Sequence, residues 1–182
     1  MTIQQKGELL SCFDVASYFL VLVDREAGDI ITQLKLQKLV YFIQGVHLAL
    51  EEDIEAWENG PVVRHLRSVF GGFEANAIPA PGEIDFSIYT NQQKELIYKI
   101  HSSYSEHTAS YLRDLTHLHS IWQQAIIRSS RVITKEEMRE FFKNHIKNIE
   151  DYLLPISKKD TAEIVNAEDQ WWMNYDTSVP WD

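Results

Sequence analysis

Residues 35–50 form an apolar run that contains two lysines, and this combination most constrains how the chain can fold. Lys35 and Lys38 lie inside the run, where each must either extend to water or meet a carboxylate, because an unpaired buried ammonium group would be very costly. We therefore expect Lys38 to pair with a carboxylate, and Glu55 is the first candidate. The apolar residues recur at spacings of three and four, as in a helix with one buried face: Leu36, Leu39, Val40, Ile43, Val46 and Leu50.

Further helices are predicted on both sides of this run, so the fold class is mainly α, a compact multi-helix domain. Ser11 with Asp14 three residues later resembles a helix-capping box, and the helix that begins there is expected to end near Gly28. Thr134 with Glu137 forms a second capping box before another helix. The second half of the chain therefore adds helices to the same domain.

Short strands are the second predicted ingredient of the fold. Residues 53–57 alternate between polar and apolar side chains and residues 84–89 lack a helical period, so a small β-hairpin or short strands are expected there. Pro61 suits the first position of a helix over residues 62–70, because proline lacks the amide hydrogen that this position leaves unbonded.

The net charge narrows the classes of partner, and the cysteine content indicates the cellular compartment. The chain has 182 residues, and 17 basic against 27 acidic side chains give a net charge of −10. An excess of acidic residues disfavours binding to nucleic acid or to anionic membranes. Cys12 is the single cysteine and the N-terminal residues lack the pattern of a signal peptide, so we expect a cytoplasmic protein without disulfides.

The composition changes after residue 149, which predicts two parts, a domain over residues 1–149 and an extension over residues 150–182. The extension carries eight acidic residues against two lysines, a net charge of −6. It also holds three of the five tryptophans of the chain. Aromatic side chains serve as anchors at interfaces. The extension is therefore expected to pack either on the domain or on a partner.

Residues that could support catalysis or bind a metal do not form a recognisable constellation. His117 and His119 are two residues apart, which places them on opposite sides of a helix, so no metal site is predicted. Cys12 lies at the start of a core helix, where a buried thiol is the usual occupant. An enzyme with a site around His117 and Cys12 is one of three hypotheses for the function, and it is the one that the sequence supports least. The other two are given below. We therefore expect no catalytic residues, no metal and no cofactor.

Two motifs carry a resemblance to a known family. Residues 35–45 read KLQKLVYFIQG, and residues 54–63 read IEAWENGPVV. Both blocks resemble the Panacea domain, also described as the antitoxin SocA-like domain. Residues 15–20 look like the first helix of that family, residues 112–125 are similar to its segment with a Leu-Thr-His sequence, and residues 133–142 look like its closing helix. The resemblance covers roughly residues 10–145.

This resemblance implies an antitoxin of a bacterial or phage toxin-antitoxin system, which neutralises a cognate toxin by direct binding. The partner would be the toxin protein, and the inhibition would be steric. We expect the partner-binding surface to include residues of both motifs together with a nearby histidine: Gln37, Lys38, Tyr41, Trp57 and His117. Each of these residues could instead serve the scaffold of the domain.

A second hypothesis, from a different class, is an adaptor that presents a partner to a protease. In that case the C-terminal extension, or the basic residues spaced by four from Lys135 to Lys147, would provide the second contact. The sequence leaves this alternative open.

Overall fold

The computed structural model describes residues 9–47 and 50–145, and it confirms a mainly α-helical domain. Within these residues there are seven α-helices, three short strands and two single-turn 3₁₀ helices. The helices are α1 (Cys12–Val21), α2 (Gln33–His47), α3 (Arg64–Phe70), α4 (Asn91–Tyr104), α5 (Ala109–His117), α6 (Ser120–Ile126) and α7 (Lys135–His145). The strands are β1 (Ile54–Trp57), β2 (Gly60–Val62) and β3 (Val132–Ile133).

Helix α2 is the centre of the domain, as its apolar pattern indicates. It packs against α1, α3, α4, α5 and α7 and against strand β2. Its predicted stripe is buried, and the opposite side of the helix is buried as well, including Gln37, Lys38 and Tyr41. Because α2 is enclosed on all sides, its polar side chains must find hydrogen-bond partners inside the protein.

Helix α1 begins where the capping box predicts and ends earlier than expected. The side chain of Ser11 accepts from the amide of Asp14, and the Asp14 carboxylate accepts from the amide of Ser11. The helix stops at Val21, which corrects the predicted end near Gly28. Beyond it the Arg25 guanidinium donates to the carbonyl of Leu20 (2.8 Å), so a side chain binds a carbonyl at the end of the helix.

The three strands form one antiparallel sheet in the order β2-β1-β3. Strands β1 and β2 form the hairpin expected near residues 53–57, with Ala56 opposite Pro61 and Trp57 opposite Gly60. Pro61 therefore lies in a strand and does not begin a helix, which corrects that prediction. The chain enters α3 only at Arg64, because β2 occupies the residues before it.

Residues 84–89 do not form a strand, and this prediction is wrong. Phe86–Ile88 is a 3₁₀ helix instead. The Asp85 carboxylate accepts from the amide of Ser87 (2.8 Å), so it stabilises a tight turn at the position where a strand would need extended backbone. The segment packs on α1 through the ring of Tyr89, whose hydroxyl donates to the carbonyl of Asp14 (2.8 Å).

The predicted extension over residues 150–182 lies outside the described residues, as does the boundary at residue 149. Across residues 9–47 and 50–145, no helix has the length and apolar character that a membrane span requires.

Candidate partner-binding site

Gln37 and Lys38 of α2 bind the backbone at the outer edge of the β-hairpin. The Gln37 amide makes two hydrogen bonds to Val63: its nitrogen donates to the carbonyl (3.2 Å) and its oxygen accepts from the amide (2.8 Å). The Lys38 amine donates to the carbonyl of Pro61 (2.9 Å). These groups are on the side of β2 that faces away from β1, where a further strand would otherwise pair. Two side chains of α2 thus close the edge of the sheet.

Lys38 does not pair with Glu55, which corrects the prediction made from the sequence. Side chains alternate between the two faces of β1, so Ile54 and Ala56 are buried while Glu55 and Trp57 are directed outwards. Glu55 instead binds Arg64 (2.7 Å) on the outer face of the sheet. Lys38 is fully buried, and this burial, with the nearby Arg113 guanidinium, lowers its pKa well below the usual value.

Tyr41, one turn further along α2, is buried and bonded to a histidine. Its hydroxyl lies 2.7 Å from Nδ1 of His119. Burial raises the pKa of Tyr41, so the phenol keeps its proton. The His119 ring also contacts the Phe141 ring, with 4.8 Å between their centroids. Tyr41 therefore connects α2 to the segment between α5 and α6 and, through His119, to α7.

His117 lies inside the protein behind the hairpin. Its ring stacks on the Trp122 ring at 4.1 Å between centroids, and the Trp122 indole donates to the carbonyl of Trp57 (3.0 Å). Burial, together with the nearby Lys38 and Arg113, lowers the pKa of His117 to about 3. A neutral His117 therefore supports the tryptophan that holds β1.

Trp57 is the one residue among the five candidates whose side chain reaches solvent. The other four, Gln37, Lys38, Tyr41 and His117, are each at most 1% exposed. A partner cannot contact these four directly while the domain keeps this conformation. The structure thus places Gln37, Lys38 and His117 behind the hairpin and Trp57 on its outer face, whereas Tyr41 lies further along α2 against His119.

The outer face of the hairpin carries charged residues that the sequence pattern did not single out. We define the hairpin surface as Glu55, Trp57, Glu58, Arg64 and Arg131. The Glu55 carboxylate accepts from the Trp57 indole (3.0 Å), and the Arg64 guanidinium lies 5.7 Å from the centre of that ring. Arg131 pairs with Glu58 (2.9 Å) across the turn of the hairpin. Trp57 is therefore held in one orientation by its neighbours.

Alternation along β1 was the signal that could have identified Glu55 and Trp57 as outward-facing neighbours. Arg64 lies two residues after the end of β2, and a residue at that position is within reach of the outer face. No comparable signal exists for Arg131, because β3 is only two residues long and pairs with β1 across a long sequence separation.

The Cys12 thiol has an environment that disfavours reactivity. Its burial raises the pKa of the thiol, and the neighbouring Glu52 carboxylate raises it further. Glu52 also accepts from the amide of Cys12 (2.9 Å) at the start of α1. Among the residues that the structure describes, no three His, Cys, Asp or Glu side chains are grouped so that they could hold a metal ion.

Comparison with known proteins adds one finding. The family model described as antitoxin SocA-like, Panacea domain matches residues 36–123, which include most of α2, the hairpin and helices α3 to α5. No match was found among curated proteins or among solved structures. The match contains both sequence motifs except Lys35, and the whole hairpin surface except Arg131. Residues 36–123 are therefore similar to the antitoxin SocA-like, Panacea domain.

Proposed function

We propose that this protein is an antitoxin that neutralises a cognate toxin, of bacterial or phage origin, by binding it directly in the cytoplasm. The observation that carries the proposal is the outward-facing Trp57 of the Panacea domain, held by Glu55 and Arg64. Tryptophan and arginine are the residues most enriched at the energetic centres of protein interfaces. A ring that is already fixed in the free protein loses little side-chain entropy on binding.

Inhibition is proposed to be steric, so no bond is made or broken by the antitoxin. A stable complex buries about 1,200–2,000 Å² in total, which is enough to cover a functional site of a small toxin. The hairpin surface would form the centre of this contact. Gln37, Lys38, Tyr41 and His117 would then act indirectly, because they position the hairpin and the backbone on which Trp57 is presented.

The test is co-expression with the neighbouring reading frame, where a lethal gene is the expected toxin. The two proteins should co-purify, and growth should be restored. Trp57→Ala is expected to weaken binding by at least about 2 kcal/mol, roughly 30-fold in Kd, as for a residue at the centre of an interface. Arg64→Ala should weaken binding as well, because it removes the cation that lies over the ring.

A matched control is available in Tyr98, an aromatic residue on α4 that is 60% exposed and lies outside the hairpin surface. Tyr98→Ala should leave binding unchanged. All three variants should melt close to the wild-type temperature. Equal losses of binding for Trp57→Ala and Tyr98→Ala, or no loss for either, would count against the hairpin surface as the contact.

A further inference from the structure

An open groove of about 470 Å³ lies between α6 and α7. Its volume is within the range of protein sites that bind ligands or peptide side chains. Ile121 of α6 and Phe141 of α7 line it and are largely buried, so they form an apolar floor. Among the residues that the structure describes, the remaining lining includes three glutamates and neither lysine nor arginine: Glu136, Glu137 and Glu140. The groove shares no residue with the hairpin surface.

Acidic and basic side chains lie in separate rows along α7. Glu136 and Glu140 are four residues apart and therefore lie in one row along the helix, on the side of the groove. The basic side chains Lys135, Arg139 and Lys143 form the adjacent row, and Lys135 is directed away to the carbonyl of Glu51 (2.9 Å). The acidic row is thus the one that faces the groove.

Arg128 neutralises one of the three glutamates in the groove. Its guanidinium binds the Glu137 carboxylate at 2.7 Å and 3.1 Å. Glu136 is exposed at the rim of the groove. An apolar floor below a negative rim is complementary to a segment in which basic and apolar side chains alternate on one face.

The floor of the groove is fixed by the buried network behind the hairpin. Phe141 contacts His119, and His119 is hydrogen-bonded to Tyr41 of the central helix. Because these contacts already fix the floor in the free protein, binding of a partner does not have to order it. The groove therefore meets the condition of preorganisation that favours tight binding.

We infer that this groove is a second docking surface and that its occupant is a basic segment of the partner protein. Lysine or arginine side chains of that segment would face the exposed Glu136, and its apolar side chains would contact Ile121 and Phe141. The identity of the partner rests on the proposed function. Residues 150–182 of this chain are the competing occupant, but their net charge of −6 has the same sign as the rim.

The first experiment uses a probe that does not require the toxin. The isotope-labelled full-length chain is titrated with an amphipathic Lys/Leu peptide of about 14 residues, or roughly four helical turns, and with a Glu/Leu peptide of the same length. The Lys/Leu peptide should shift the amide signals of Ile121 and of residues 136–141, and the Glu/Leu peptide should not. Shifts confined to other regions, or equal binding of both peptides, would overturn the inference.

Matched charge reversals distinguish binding of the basic peptide in the groove from its general attraction to an acidic protein. Glu136→Lys is expected to weaken binding of the Lys/Leu peptide by about five- to tenfold at low salt, since one attractive contact becomes repulsive. Glu106→Lys, an exposed residue outside the groove, makes the same change in net charge and should alter binding by less than about twofold. Equal effects of the two variants would overturn the inference.

Three further outcomes are decisive. If deleting residues 150–182 shifts the groove signals before any peptide is added, the groove belongs to the chain's own extension and the inference fails. If the peptide binds as expected but no toxin co-purifies, the groove stands while the proposed function fails. If the toxin co-purifies and Glu136→Lys leaves that complex unchanged at low salt, the hairpin surface suffices and the groove is not part of the interface.

Discussion

The two lysines of the apolar run show how buried amines are accommodated by backbone carbonyls. Lys38 donates to the carbonyl of Pro61, and Lys35 donates to the carbonyl of Ser105. Burial is the main cause of the lowered pKa of both groups. A buried lysine that releases its proton avoids most of the cost of burying a charge. The sequence predicts that each lysine needs a partner, but it cannot predict a backbone carbonyl that a segment distant in the chain supplies.

Replacing Lys38 separates its packing role from its polar role. Lys38→Ala leaves a cavity behind the hairpin and an unbonded carbonyl at Pro61, so we expect a loss of about 2–4 kcal/mol in the free energy of unfolding. Lys38→Met refills the space and should recover most of that loss. Urea unfolding at neutral pH measures both values. Normal stability of Lys38→Ala together with lost partner binding would show that the residue belongs to an interface.

His117 should make the protein acid-sensitive over a defined range of pH. Its pKa is about 3 in the folded protein and about 6.5 in the unfolded chain. Between these values the unfolded chain binds a proton that the folded protein does not, so stability falls as pH decreases from 6.5 towards 3. The slope from this one group is at most about 1.4 kcal/mol per pH unit.

The measurement compares wild type with His117→Phe, which keeps a ring against Trp122 and cannot titrate. The free energy of unfolding of this variant should fall less steeply between pH 6.5 and pH 4. His65→Gln is the matched control, because His65 is an exposed histidine on α3 whose loss should leave the wild-type slope intact. Identical slopes for wild type and His117→Phe would show that His117 is not excluded from protonation in the folded state.

At the scale of elements, helix starts are the best-predicted features and strands the least. A capping box is a local pattern, so Ser11 and Thr134 mark their helices correctly. The two-residue strand β3 has no local pattern, because it exists only through pairing with β1. The predicted strand over residues 84–89 failed for the opposite reason, since the side chain of Asp85 stabilises a turn that periodicity does not reveal.

Gly60 is a position at which the contact between the hairpin and the central helix leaves no space for a side chain. Its φ is +96°, and an added Cβ would lie 2.6 Å from the Lys38 amine and 2.7 Å from the Thr116 hydroxyl. Gly60→Ala therefore combines backbone strain with a steric conflict. We expect it to lower the free energy of unfolding by at least about 2 kcal/mol, as measured by urea unfolding.

Gly28 provides a control for that substitution. Its φ is +91°, but an added Cβ meets no atom within 4 Å. Gly28→Ala should thus report the backbone strain alone, about 1–2 kcal/mol. Equal losses for the two variants would mean that Lys38 and Thr116 move aside at no cost, and that the space behind the hairpin is not tightly packed.

At the scale of the whole molecule, the class of fold was predictable and the accessible surface was not. Hydrophobic periodicity predicts which side chains are buried, so the helical domain and its central helix follow from the pattern of α2. The same periodicity cannot tell that the polar residues between the apolar ones are also enclosed, because that depends on how many neighbours surround the helix. Gln37, Lys38, Tyr41 and His117 were therefore predicted to line a surface, whereas the structure places them behind it.

The last prediction distinguishes masking of the toxin from adaptor activity. If the hairpin surface and the groove suffice for inhibition, a chain ending at residue 149 should bind the toxin with unchanged affinity and protect its target in a purified assay without proteases. Steric masking predicts this result because both surfaces lie within residues 54–141. The reference is the full-length chain in the same assay, with the melting temperature of both proteins measured. The opposite result would be a truncated chain that folds and binds the toxin but does not protect its target, while the full-length chain protects it only in cells that contain proteases. That result would favour an adaptor that delivers the toxin for degradation.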